Sequence, residues 1–293
     1  DPKNSEEYKL EFNKLEDIDQ NTVDELIKNK VVEIFVNKME RLAFVGNITA
    51  ELISHLEANE LSEDELISAV DKSIELLSTK LLTIGLTPET IELAKKNMAI
   101  VQSTARRNNK LSKLLDKLLN NQASYLYRHT QILTHIGLHI IHNLDWGNAD
   151  QEEKICFIAF FHDIALDSDI QCKIKSTQEL KKSKLTDEEK SLVEKHAQIA
   201  AEYVTKFPHA PMGADQIIRQ HHGQLNGLGF SEHYGANMSP MSMVFIVAEE
   251  FTRIIMKYEP ADLNREEMLR ELREEFTTNR FLKIVEKLES ITL

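Results

Sequence analysis

The sequence holds only two cysteines, Cys156 and Cys172, too few for a disulfide framework. It has no long apolar run. The strongest stretch, residues 155–161, is far short of the roughly 20 apolar residues that span a bilayer. No secretory signal segment is visible behind the opening Asp1-Pro2, so a cytoplasmic location is expected. Positive charge is in deficit, with 35 Lys+Arg against 48 Asp+Glu and a net charge of −13. Such an acidic globule is a poor partner for long DNA or RNA, whose phosphates need a basic surface. Glycine is scarce and unevenly placed: five of the nine lie between Gly213 and Gly235.

What is present is a globular composition, 42% hydrophobic and 28% charged over 293 residues, enough for one large domain or two ordinary ones. Histidine stands out. There are 11, and ten lie between His129 and His233. The second half of the chain is therefore the chemically active one.

The first 47 residues read as a small α/β module. Tyr8, Leu10 and Phe12 alternate, as do Val32, Ile34 and Val36, and a short helix is expected over 21–30 between them. From residue 48 the periodicity is helical. Ser62 with Glu65 predicts a capping box, and Thr87-Pro88 a capped helix start. Residues 100–121 read as one basic amphipathic helix carrying Leu111, Leu114, Leu115, Leu118 and Leu119. A connector or dimer seam with a solvated basic face is favoured over an anion or membrane patch. Beyond 122 nearly everything reads as helix, with capping boxes expected at Asp150/Glu153 and Thr186/Glu189, and helical stretches at 240–258 and 264–288. The expectation is a mainly α protein, divided into an N-terminal region 1–121 and a helical bundle 122–293.

A helix turns about 100° per residue. With His129 at zero, Leu133, Ile136 and Ile140 fall within about 40° of it, while His135, His139 and His142 fall near 220–280°. That trio is favoured as a polar face over a chelating set. His196 shares a stripe with Leu192, Val193, Ile199 and Tyr203. His162-Asp163 ends a very apolar helix, an expensive place for an uncompensated carboxylate. His221-His222 ends another apolar segment. Imidazole with carboxylate suits Fe, Mn, Zn or Ni, and a carboxylate between two metals is a hydrolase arrangement.

The order H…HD…H…HH…acid resembles the HD superfamily of metal-dependent phosphohydrolases, and more closely its HD-GYP branch, the cyclic di-GMP phosphodiesterases. His129-Thr130, His162-Asp163-Ile164, Glu194-Lys195-His196 and Val247-Ala248-Glu249 are similar to successive family motifs. His221-His222-Gly223-Gln224-Leu225-Asn226-Gly227-Leu228-Gly229-Phe230 resembles the signature HHExxDGxGYP. The resemblance covers about residues 122–293, and 11–46 weakly resemble a module that precedes some such domains. It implies an all-α HD bundle with two divalent transition-metal ions, Fe or Mn. His129, His162, Asp163 and Glu249 would hold one. His196, His221 and His222 would hold the other, with Asp163 bridging and Asp163 and His162 at the catalytic centre. For Glu249, a surface salt bridge to Arg253 is the competing reading, and Glu250 lies next to it.

The departures lie outside that set. The HDxGK lysine is Leu166, the glutamate after the paired histidines is Gly223, the loop aspartate is Asn226, and the GYP tyrosine and proline are Phe230 and Ser231. Tyr125 stands where some members place a third-metal glutamate. Lys173, Lys175 and Arg219 are candidate replacements for the missing phosphate donors, beside Asn226 and Phe230 as substrate contacts. The resemblance implies hydrolysis of cyclic di-GMP to pGpG or GMP. The competing function is a weakened family member acting as a cyclic-dinucleotide or metal-dependent receptor. Region 1–121 would carry a homodimer contact or a signalling partner.

Overall fold

The computed structural model describes residues 62–107, 110–166, 168–231, 234 and 238–292, with isolated positions at 24, 25, 28, 29 and 54. The chain divides into two units, Asp1–Asn47 and Ile48–Leu293. In the first, Asp24, Glu25 and Lys28 are helical and the Asn29 N–H donates to the Glu25 carbonyl at 2.9 Å, inside the helix expected at 21–30. The strands expected around 8–12 and 32–36 lie outside the described residues.

The second unit is all helical among the described residues. Its helices are α1 (Glu63–Ile84), α2 (Pro88–Arg107), α3 (Leu111–Asn120), α4 (Tyr125–His142), α5 (Ala149–Phe161), α6 (Asp169–Cys172), α7 (Thr177–Lys182), α8 (Asp187–Lys206), α9 (Ala214–Gln220), α10 (Pro240–Ile255), α11 (Arg265–Glu275) and α12 (Asn279–Val285). Single 3₁₀ turns occupy Pro260–Asp262 and Glu286–Leu288. The starts are set by side chains that satisfy orphan amides. Ser62 and Thr186 form the expected reciprocal capping boxes with Glu65 and Glu189. The box expected at Asp150/Glu153 does not form. Asn148 is the cap, accepting from the Gln151 N–H at 3.1 Å, and Asp150 falls in the first turn, where it complements the helix dipole.

Helices α4, α5 and α10 form the centre. Nearly every residue of α10 is buried, as an all-round apolar helix must be. Gly137 lets α4 and α5 close together: a Cβ there would lie 2.6 Å from Ile155 Cγ1. Ser124 caps α4 and is itself gripped by Asp71 of α1, which accepts from both its hydroxyl and its N–H.

Two expectations are corrected. The single basic helix over 100–121 is two helices, α2 and α3, with 108–109 outside the described residues. Leu111, Leu114, Leu115 and Leu118 are buried in the same cluster as Ile132, Ile136 and Phe161, so the apolar seam is used within the chain and the core runs through position 121 without a break. Burial of each leucine contributes roughly 1.5–3 kcal/mol, too much to leave facing solvent. The stretch 264–288 is also interrupted: Phe276 caps α11 and turns its buried ring onto Phe281, with centroids 4.8 Å apart. A smaller apolar cluster of Tyr125, Leu166, Cys172, Ile174, Leu180, Val193 and Phe230 lies apart from the main core, on the side of the molecule where the histidines converge.

Candidate metal centre

Five helices deliver polar side chains to one buried point. His129 projects from α4 and Glu249 from the middle of α10. His162 is the C-cap of α5, followed by Asp163. His196 comes from α8, His221 caps α9, and His222 follows it. All seven are buried. Helix ends free a side chain from the local ladder, and two helices, α5 and α9, bring their C-terminal ends here.

The seven form two groups that share Asp163. One is His129, His162, Asp163 and Glu249; the other is Asp163, His196, His221 and His222. Within each, one ligand-type atom per residue lies within 4.8 Å of all the others. In the first group His129 Nε2 is 2.9 Å from Glu249 Oε2 and 3.3 Å from His162 Nε2, and His162 Nε2 is 3.3 Å from Asp163 Oδ2. In the second, His196 Nε2 is 3.2 Å from both His221 Nε2 and Asp163 Oδ1, and 3.1 Å from His222 Nε2. Atoms bound to one ion at about 2.1 Å stand roughly 3.0–3.4 Å apart in octahedral or tetrahedral geometry.

The protonation pattern tests whether a cation fits. His162 Nδ1 faces the Ala159 carbonyl at 3.0 Å, His196 Nδ1 the Val193 carbonyl at 2.5 Å, and His221 Nδ1 the Ile218 carbonyl at 2.6 Å. A carbonyl only accepts, so Nδ1 carries the proton and the neutral ring's Nε2 is a lone pair. His196 and His221 therefore point lone pairs at each other across 3.2 Å. That contact is repulsive between neutral rings and attractive once a cation accepts both. The buried oxygen Asp163 Oδ1 likewise lacks a directed hydrogen-bond donor. A backbone acceptor behind the ring is also what orients histidine ligands. The residues fit divalent ions.

The HD domain family model matches residues 113–281, more than half of the chain. The chain belongs to the HD domain family. HD domains bind divalent metals, and this one buries two His/carboxylate groups able to hold them. No curated protein matches the chain. Among solved structures, Bd1817, an HDG"Y"P protein from Bdellovibrio bacteriovorus, aligns over 87% of this chain and 81% of its own, at 14% identity and a TM-score of 0.47, a similarity too distant to bear on site chemistry.

The electrostatics of this HD domain follow from burial and pairing. Burial depresses His221 to about 4 and His222 well below its ordinary value. For His162 burial is outweighed by Asp163 and Glu249, which raise it. Burial would raise Asp163 and Glu249, but histidine partners and Lys175 hold both well below the carboxylate range. Their carboxylates are ionised and the His221 and His222 imidazoles neutral, the states a metal ligand needs.

The other expected residues divide. Lys175 reaches the centre: its Nζ is 3.2 Å from Asp163 Oδ2 and 3.1 Å from Glu249 Oε1. Lys173 lies over the Tyr125 ring at 5.2 Å, and Tyr125 stacks on His129 at 5.8 Å. Phe230 packs on His222 with centroids 4.6 Å apart, buried in the smaller cluster. Asn226 is exposed and its Oδ1 accepts from the Leu228 N–H at 3.1 Å, closing its own turn. Arg219 lies beneath the loop: a Cβ on Gly227 would meet its Cγ at 2.9 Å. Glu250 accepts three hydrogen bonds from Arg253, through Nε and Nη2, which leaves Glu249 to the centre. His135, His139 and His142 turn instead to the Ala105 carbonyl, the Lys287 carbonyl and Glu152.

The sequence reading missed the three carbonyls behind the rings, since an i−3 acceptor depends on a rotamer and leaves no residue signature. It also missed Ser78 of α1, whose hydroxyl donates to the Leu166 carbonyl at 2.6 Å just after the His162-Asp163 step. No helix among the described residues is long and apolar enough to cross a membrane.

Proposed function

We propose that this chain is a divergent member of the HD-GYP branch and a binuclear metal-dependent phosphodiesterase that hydrolyses cyclic di-GMP to pGpG and GMP in bacterial second-messenger signalling. The observation that carries the reading is Asp163, whose Oδ2 faces one ligand group and whose Oδ1 faces the other. The loop 221–230 supports the branch: glycines at 223, 227 and 229 adopt positive φ, and the Gly229 N–H binds the Glu194 carbonyl at 2.7 Å, pinning the loop beside His196.

His129, His162, Asp163 and Glu249 would hold one ion, and Asp163, His196, His221 and His222 the other, with Fe or Mn the expected metals. When bound, such ions supply Lewis-acid charge for a phosphoryl oxygen and make a water nucleophilic near neutral pH. The residues do the rest. The backbone carbonyls behind His162, His196 and His221 fix the ring tautomers. Lys175 brings an ammonium that can face a substrate phosphate beside Asp163 and Glu249. Tyr125 and Lys173 line the same side. Phe230 holds His222 by packing and offers no hydroxyl. The reaction would run in the cytoplasm, with region 1–121 as the site of a homodimer contact or signalling partner.

The closed turn of Asn226 and the packing role of Arg219 favour a second reading, a receptor that binds the nucleotide and turns it over slowly. The test is product formation from cyclic di-GMP by Mn²⁺- or Fe²⁺-loaded protein, with nucleotide binding measured in parallel. Metal- and Asp163-dependent pGpG formation supports the enzyme. Binding without turnover supports the receptor. Neither outcome with any cyclic dinucleotide rejects both.

A further inference from the structure

The two ligand groups share Asp163 but not its surroundings. Oδ1 faces imidazoles, His196 at 3.2 Å and His221 at 3.7 Å. Oδ2 faces His162 at 3.3 Å and a full positive charge, Lys175 Nζ, at 3.2 Å. The same ammonium lies 3.1 Å from Glu249 Oε1, so it spans both carboxylates of the His129/His162 group.

Lys175 is not a loose surface lysine. Its side chain is 11% exposed. It follows Ile174, which is buried in the smaller apolar cluster, and precedes Ser176, the N-cap of α7. Its own N–H donates to Glu179 Oε2 at 2.8 Å. The backbone on both sides is therefore anchored, and the ammonium is delivered by a short packed connection.

We propose that Lys175 makes the two metal positions unequal, so that the Asp163/His196/His221/His222 position fills first and the His129/His162/Asp163/Glu249 position takes its ion weakly, against the Lys175 ammonium. This rests on the two-metal reading above. Charge and ligand supply both argue for it. The ammonium cancels one of the two negative charges that would draw a divalent ion to the Glu249 position, and like charges repel strongly where water is largely excluded. It also engages Glu249 Oε1, leaving Oε2, the oxygen 2.9 Å from His129, as the ligand atom that residue can offer an ion. The His196/His221/His222 position offers three imidazoles and Asp163 Oδ1, with two of the lone pairs already opposed. The protein would thus rest with one ion and complete its centre only as metal supply rises, which places metal availability in control of the site.

The test is titration of metal-depleted full-length protein with Mn²⁺, followed by calorimetry and by equilibrium dialysis. The wild type should bind in two steps, the second at least roughly tenfold weaker. Lys175→Met should tighten the weak step by roughly 10- to 100-fold, the range seen when groups supporting a metal ligand are altered, and leave the tight step alone. Lys175→Arg should keep both steps. Two equal steps in the wild type, or a weak step unmoved or weakened in Lys175→Met, would overturn the proposal while leaving the metal centre standing. No bound metal in the wild type would overturn the metal-centre reading itself. Should Lys175→Met fail to fold without metal, anomalous scattering from wild-type crystals at substoichiometric Mn²⁺ decides. An ion at the His196/His221/His222 position supports the order, and one at the Glu249 position overturns it.

Discussion

Gly223 stands where the resembled signature has glutamate, and its backbone explains why. Its φ is +79°, and a Cβ there would lie 2.7 Å from Ser231 Cβ and 3.1 Å from Tyr234 Cδ1. Gly223→Ala should therefore carry two costs. The left-handed conformation costs a side chain about 1–2 kcal/mol, and overpacking adds about 1–3 kcal/mol. The sum, about 2–5 kcal/mol, corresponds in a unit of this size to a fall in Tm of roughly 4–20 °C. Gly85 supplies the control. It has φ +74° and nothing within 4 Å of the place a methyl would occupy, so Gly85→Ala should show the conformational cost alone. The clash is relieved by a second change: Ser231→Gly in the Gly223→Ala background should recover more than half of the difference. Thermal unfolding of the four proteins reads all of this. The reasoning is refuted if Gly223→Ala is no more destabilising than Gly85→Ala, or if Ser231→Gly recovers nothing. The consequence for function is that the glutamate cannot be restored alone, because the Ser231 N–H bond to the His222 carbonyl at 2.9 Å holds the loop that packs Phe230 on His222.

Three further outcomes are expected. At saturating Mn²⁺, Glu249→Gln should lose about one metal per chain while Glu250→Gln retains both, because Glu250 is engaged by Arg253; equal losses in metal analysis would contradict the register. In metal-depleted protein, His221 folded titrates near 4 against about 6.5 unfolded, so the unfolded chain binds the proton first. Its contribution, up to about 3 kcal/mol, is complete above pH 6.5 and lost as pH falls toward 4. His222 acts in the same direction and His162, whose value is raised, in the opposite one. Urea unfolding should therefore give a lower stability at pH 5 than at pH 7.5, and equal or higher stability at pH 5 would refute the assignment. Ser78→Ala removes a buried donor to the Leu166 carbonyl and should cost about 1–3 kcal/mol in urea unfolding; a loss within error would mean the α1 contact does not support the segment after Asp163.

Much of the centre was legible because helical geometry is periodic. The 100° step alone separates His129, buried against the core, from His135, His139 and His142, which bind backbone carbonyls and Glu152. The apolar run before His162-Asp163 marked a buried carboxylate, and Glu249 differs from Glu250 by the same one-residue rotation. What escaped depends on tertiary packing. Asn148 rather than Asp150 caps α5, since both can cap and only the path of the chain chooses. Lys175 reaches Asp163 because Ile174 packs beneath it, and nothing local distinguishes it from Lys173, which lies over Tyr125. Asn226 closes a turn in the position where a substrate contact was expected, because its side chain can mimic a backbone acceptor.

The claim on which the rest depends is that Asp163 serves both positions, Oδ1 in one and Oδ2 in the other. Metal analysis of purified Asp163→Ala beside wild type and Glu249→Gln tests it directly. After saturation with Mn²⁺, the wild type should carry about two ions per chain, Glu249→Gln about one, and Asp163→Ala essentially none. Unchanged metal in Asp163→Ala, or the loss of a single ion, would contradict a shared carboxylate.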